Sequence, residues 1–349
     1  MPKELVCTAP RTLEFRSYEE PALTEGQVRI KSQFGAAKHG TEMSLYKGVA
    51  HDRGAWDGAL GVFHPSTDKE AKPFGAVSLG NMLVGSVIEI GPGVKHTAVG
   101  DRVLVYGGLR ETIVKKEDGG HWGGYWKLPK NVAWQSAVLL DPADFAYAAV
   151  RDGHVRLGDA VAIFGLGAIG LVAIQFAKLS GATPIIAVDV LPKRLEVAQK
   201  LGATVALDSS KCDAGLEIKK ATGGRGADVC IEYSGNWRAM QTALRGVAFG
   251  GNVVAGAYPP PYGAGLDLGA EAHMNVPNII FSRACSEPLR DHPRWNNNRV
   301  YAQCVDLIFA GQLDGPTIVD PVVPFDKLLE EYPKIETDPN SNIKLGVKF

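Results

Sequence analysis

Cysteine is scarce in this chain: Cys7, Cys212, Cys230, Cys285 and Cys304 are all that occur in 349 residues, an odd number with no short spacing between any two. That excludes a disulfide framework and a paired-cysteine metal site. The thiols read as scattered groups of a reducing compartment, so a cytoplasmic protein is expected. Excess charge is missing too. The 37 Lys and Arg balance 38 Asp and Glu, for a formal net charge of −1. Such a balance leaves no electrostatic footprint for nucleic acid or an anionic membrane surface. No apolar run approaches the ~20 residues of a membrane-spanning helix. Met1-Pro2-Lys3-Glu4-Leu5-Val6 enters strand-like sequence directly, so no signal peptide is expected. Internal repeats and low-complexity tracts are absent. What remains is 45% hydrophobic and 21% charged, an ordinary globular balance, in a chain long enough for two full cores. The expected partner is a small-molecule substrate.

One stretch stands out: Gly165-Leu166-Gly167-Ala168-Ile169-Gly170. Before it, residues 159–164 form a short apolar run of the kind that fills a buried parallel strand. Residues 171–178 after it are apolar on most sides and read as a helix packed on a sheet. A second apolar run, 184–188, ends in Asp189, 19 positions past Gly170. This context makes the glycine pattern specific for a dinucleotide. The first glycine permits a tight turn, the second lets backbone amides approach a pyrophosphate, and the third lets helix and strand pack closely. The helix N-terminus offers unpaired N–H groups to the phosphates. Asp189 can accept hydrogen bonds from the adenosine ribose hydroxyls and would repel a 2′-phosphate, and Val190 and Leu191 bring no cation to offset it. NAD is therefore expected over NADP. Arg194 is expected on the adenine side.

The hydrophobic period changes along the chain. Up to about residue 140 it is strand-like: 27–32, 83–91 and 99–105 read as strands and turns, and 49–78 as a long loop rich in Gly, Asp, His and Pro. Residues 142–152 read as a bridging helix. From Gly158, strands and helices alternate through 229–231 and 253–255 to 278–281, the pattern of a parallel sheet covered on both faces. A helix over 299–310, with Gly311 as C-cap, and a strand-like tail over 343–349 complete the chain. The expected organisation is α/β: a β-rich catalytic domain over 1–150, completed by 290–349, and a doubly wound dinucleotide-binding domain over 151–289.

This order resembles the medium-chain dehydrogenase/reductase superfamily of alcohol, polyol and threonine dehydrogenases over nearly the whole chain. The resemblance implies a GroES-like β domain and a Rossmann domain. It is carried by residues 35–48, by Leu79-Gly80-Asn81-Met82-Leu83-Val84-Gly85, by Gly91-Pro92-Gly93-Val94, by Val99-Gly100-Asp101-Arg102-Val103, by Leu140-Asp141-Pro142 and by residues 194–203. On this alignment His39 stands where the family has a zinc-binding cysteine, and Asn81-Met82 stand where it has Gly-His-Glu. Asp141 alone keeps an acidic position. Residues 103–127, where the family's structural-zinc lobe would fall, contain no cysteine. A catalytic zinc needs about three nitrogen, sulfur or carboxylate ligands. His39 and Asp141 supply two, and His51 and His64 do not sit at metal-ligand spacing to His39, so no metal is expected.

Without zinc, side chains must supply the acid–base chemistry. His39 is expected to act as general acid/base, Asp141 to orient its imidazole, Thr41 to relay the proton and Asn81 to bind the reacting oxygen. Plainer readings stand beside these: Asp141 as N-cap with Pro142 at the first helical position, Thr41 and Asn81 as local turn residues, and His39 as a packed histidine. The resemblance further implies that Ser234, Gly256 and Ala257 line the cofactor crevice and that Lys344 reaches the pyrophosphate. Trp56, His64, Trp122, Trp295 and Arg299 are candidate substrate contacts, because aromatic faces stack on sugar C–H groups. The expected reaction is NAD-dependent oxidation of a secondary alcohol of a sugar, cyclitol or polyol. The alternatives are reduction of activated C=C bonds and non-catalytic NAD binding. Residues 278–281 resemble an edge strand of subunit pairing, so a homodimer or homotetramer is expected.

Overall fold

The computed structural model describes residues 1–49, 53–65, 74–263 and 265–349, and the backbone alone at His121 and Trp122. The apolar runs become strands because only the centre of a sheet covered on both faces can hold them: Val161–Phe164 and Ile185–Asp189 are buried at every position. Six parallel strands form this sheet. Its order is Val205–Asp208, Ile185–Asp189, Val161–Phe164, Ala227–Glu232, Val247–Ala255 and Asn278–Phe281. The chain starts at Val161–Phe164, winds outward to one side, then returns to continue on the other. The reversal opens a crevice at the carboxyl ends of the strands, where a doubly wound sheet binds its ligand.

The other domain is antiparallel. Gln27–Ala36 pairs with Met82–Ile90, Thr112–Lys116 and Gly346–Lys348, the last of these brought in from the C-terminal tail. Gly346–Lys348 also runs parallel to Val322–Pro324. The long loop differs from its sequence reading: within it Ala55–Asp57 and Val62–His64 form a hairpin, and Val77–Ser78 adds an edge to Lys3–Ala9. These strands of the loop are only two or three residues long, too short to leave a period among the surrounding turn formers.

Two helices carry residues of both domains to the crevice. Helix His39–Lys47 is held by Glu42, a buried carboxylate that accepts the Gly80 N–H at 2.9 Å and the Tyr332 hydroxyl at 2.8 Å. Burial raises the Glu42 carboxyl above its ordinary range. Leaving a buried acceptor without one of its hydrogen-bond partners costs about 1–3 kcal/mol. Tyr332→Phe is therefore expected to lower stability by that amount in urea unfolding at pH 7, and an unchanged midpoint would show the contact to be idle. Helix Leu140–Asp152 starts two residues before its predicted position, with Leu139 as N-cap. Asp141 and Pro142 thus lie inside the first turn, and neither is the cap. The last long helix is Asn297–Phe309, capped by the Asn296 side chain, and Ala310 rather than Gly311 is its C-cap. Among the described residues no helix is long and apolar enough to cross a membrane.

Candidate active site

The glycine loop joins Val161–Phe164 to helix Ala168–Leu179. Gly165 has φ +81°, and a Cβ there would lie 2.5 Å from the Ser234 nitrogen. At Gly170 a Cβ would meet the Gly165 carbonyl oxygen at 2.1 Å, so helix and loop pack as closely as they do only because the side chain is absent. Gly167 faces open space and is the helix N-cap, with no side chain occupying the first N–H groups. Leu166 is buried behind the loop, and Ala168 and Ile169 are half-buried at the helix start. This is a cradle shaped for a pyrophosphate.

Asp189 ends the neighbouring strand. Its Oδ2 accepts the Leu166 N–H at 2.6 Å, and its Oδ1 accepts those of Val190 and Leu191 at 2.7 and 3.0 Å. Three backbone donors are therefore organised around this carboxylate. Arg194 feels the Asp189 charge, and its own charge helps to hold the His39 imidazole low. The Arg194 Nε is buried without a partner, a donor left for an anionic group. Ser234 lies exposed at the strand ends and gives its hydroxyl to Glu232. Gly256 and Ala257 both donate backbone N–H to the Glu232 carbonyl, at 3.0 and 3.2 Å. The open cradle, the carboxylate and the orphaned guanidinium nitrogen fit a dinucleotide. Residues 165–170, Asp189 and Arg194 would hold it, and it would supply a hydride acceptor.

The proton-handling residues are arranged differently from the expectation. Asp141 does not orient His39: its Oδ1 pairs with the Lys38 ammonium at 2.8 Å. His39 turns the other way, and its Nε2 accepts the Leu345 N–H at 2.9 Å. Burial first, then the charges of Lys344 and Arg194, push the imidazole down from 6.5 to about 3. It is a neutral ring whose one lone pair is in use, which suits a packed histidine better than a base. Lys344 is buried and donates to the Ala37 carbonyl at 2.9 Å. Thr41 is exposed on the first turn of its helix. Asn81 donates its backbone N–H to Ala36, and its side-chain oxygen is buried without a partner.

Sequence reasoning passed over three residues here. Lys38 precedes the family's ligand position. Asp144 lies one turn after Asp141, on the same helix face, and the i,i+3 spacing was the available signal. Burial and the neighbouring Asp141 charge raise the Asp144 carboxyl well above its ordinary range, and the Tyr301 hydroxyl is its hydrogen-bond partner.

The substrate candidates are dispersed. Trp56 is exposed on the hairpin against Phe63, with ring centroids 4.9 Å apart, and His64 pairs with Asp57 at 3.2 Å. The Trp122 side chain and His51 lie outside the described residues. Trp295 is not an open platform. The Arg151 and Arg299 guanidinium carbons lie 3.7 and 4.0 Å from its ring centroid.

Crevice, glycine cradle and β domain define a dinucleotide-fold oxidoreductase. The model of the family described as zinc-binding dehydrogenase matches residues 168–285. The D-guloside 3-dehydrogenase of Escherichia coli (strain K12) is 42% identical over 353 residues, covering 99% of this chain and 100% of the relative. The (R,R)-butanediol dehydrogenase of Bacillus subtilis (strain 168) is 27% identical, covering 92% of each chain. The crystal structure of 2R,3R-butanediol dehydrogenase from Bacillus subtilis superposes with a TM-score of 0.77 at 24% identity over the whole of both chains. The chain belongs to the zinc-type medium-chain dehydrogenase family.

The family's metal does not fit the residues found here. His39 has spent its lone pair, Met82 is fully buried in the sheet, Asn81 is a poor zinc ligand and Asp141 is neutralised by an ammonium. Among the described residues no group of three or more His, Cys, Asp and Glu is placed to hold a metal ion.

Proposed function

We propose that this protein oxidises a secondary alcohol of a sugar, cyclitol or glycoside to a ketone, with NAD as hydride acceptor and without zinc. The observation that carries the reading is the end-to-end similarity to a relative whose name states dehydrogenation at position 3 of a D-guloside. Asp189 supports NAD: its carboxylate would meet a 2′-phosphate with like charge. The chemistry at the family's ligand positions, where His39 accepts the Leu345 N–H and Asp141 pairs with Lys38, supports a metal-free reaction. Lys38, just before helix His39–Lys47, pairs with Asp141 of helix Leu140–Asp152 one turn from Asp144, and this charged cluster supports a site at which a hydroxyl is bound, oriented and deprotonated. The exposed Ile279 and Phe281 on edge strand Asn278–Phe281 support pairing into a homodimer or homotetramer.

The test is turnover. Purified protein with NAD and a panel of methyl glycosides, hexoses, inositols and butanediols is expected to produce NADH absorbance with at least one sugar-like alcohol. Treatment with a strong chelator is expected to leave the rate unchanged. Activity confined to NADPH with quinones or enoyl thioesters would overturn the reading, as would chelator inactivation reversed by zinc.

A further inference from the structure

The three positions where the family gathers its metal ligands are His39, Asn81-Met82 and Asp141, and an ammonium group has moved among them. Lys38 adjoins His39, its Nζ lies 2.8 Å from Asp141, and Asn81 is bonded through its backbone to Ala36, two residues before it. The same Nζ stands 4.9 Å from the Phe145 ring centroid. Phe145 in turn ties this point to the sheet crevice, because its carbonyl accepts the Tyr233 hydroxyl at 3.0 Å. Tyr233 follows strand Ala227–Glu232, and its ring lies so close to Gly256 that a Cβ there would come within 2.6 Å. Lys38 is thus linked through Phe145 and Tyr233 to the edge where a nicotinamide would lie.

Resting on the alcohol dehydrogenase reading above, we propose that Lys38 is the catalytic acid–base residue, standing where relatives have a metal and exchanging the proton of the substrate hydroxyl. An ammonium has three donors. One is held by Asp141 and the ring of Phe145 covers another side, which leaves a direction for a hydroxyl. Access separates Lys38 from its neighbour. The Lys38 side chain is 26% exposed, whereas Lys344 is 2% exposed and committed to Ala37.

In the oxidation, the hydroxyl proton passes to the Lys38 nitrogen once the ammonium has given up a proton to solvent, and in the reverse reduction the ammonium returns it to the carbonyl oxygen. The O–H bond breaks, the C=O bond forms, and the carbinol C–H electron pair leaves as hydride to an oxidised nicotinamide dinucleotide. The alcohol is oxidised, the dinucleotide is reduced, and Lys38 ends as ammonium until its proton passes to solvent. Asp141 is a positioning residue that fixes the nitrogen, and Asn81 supplies a buried amide oxygen with no other partner.

The bland alternative is a salt bridge that only joins the two helices. Lys38→Arg separates the two, because guanidinium keeps the charge and the carboxylate partner but does not release a proton. Full-length Lys38→Arg and Lys38→Ala are assayed beside the wild type for turnover of the best glycoside, NADH binding by fluorescence and thermal midpoint. Loss of a general acid–base group costs about 10²–10⁴-fold in rate. Both variants are expected to lose that much kcat with NADH affinity within a factor of three of the wild type, and added methylamine is expected to restore at least tenfold to Lys38→Ala. If the wild type oxidises no secondary alcohol, the functional reading fails and the proposal with it. If the wild type is active and Lys38→Arg keeps a third or more of its kcat, only the proposal falls.

Discussion

Asp189→Ala is expected to abolish the discrimination between NADH and NADPH, and the effect comes from two directions. The carboxylate organises three backbone donors and is buried at the end of its strand. Hydrogen bonds to a charged group contribute about 1.5–3 kcal/mol, so loss of the bonds proposed from Asp189 to the ribose hydroxyls should weaken NADH binding by about 10- to 150-fold. NADPH gains from the same change, because a like charge beside its 2′-phosphate is removed. Arg194, which feels the Asp189 charge and whose Nε has no partner, is then released toward that phosphate. Fluorescence titration with each cofactor measures the ratio of dissociation constants. A ratio unchanged from the wild type would show that Asp189 serves the loop alone. Asp189→Asn separates the roles, since an amide still accepts the Leu166 N–H but carries no charge.

The nucleotide half was legible because its signals are local. Val161–Phe164, the glycines and Asp189 lie within thirty residues of one another, and each has a distinct physical reason to be where it is. Patterning also located the strand at 82–90 and the tail strand, since burial on one or both faces leaves a period in the sequence. The proton-handling site was not legible in this way. Lys38 and Asp141 are 103 residues apart, and which of two adjacent residues faces Asp141 depends on how helix His39–Lys47 enters the crevice. Alignment put His39 at the ligand position, and that residue identity suggested a base. The partner of its ring is Leu345, 306 residues away, a contact that exists only because the tail returns to the first domain. Trp295 misled for a related reason. An aromatic side chain in a polar stretch reads as a platform, and only the fold shows that two guanidinium groups already cover it.

His39 should make the protein sensitive to acid, and the sign follows from the direction of its shift. Its folded value is depressed from 6.5 to about 3, chiefly by burial. As pH falls below 6.5 the unfolded chain takes up a proton first, so the stability contributed by the neutral ring is complete above pH 6.5 and is lost progressively down to about 3. At pH 4.5 the loss from this one group is about 3 kcal/mol. Glu42 and Asp144 act in the opposite sense: their folded values are raised, so protonation favours the folded state as pH falls and partly masks the effect of His39. The difference between wild type and His39→Gln removes that background. Glutamine can still accept the Leu345 N–H through its amide oxygen but does not titrate. Urea unfolding at pH 7.5 and 4.5 should show the wild type losing more stability than the variant, by about 3 kcal/mol. Parallel losses would mean that the imidazole is solvated and free to protonate in the folded protein. That result would return His39 to the list of groups able to carry a proton in the reaction, in direct competition with Lys38.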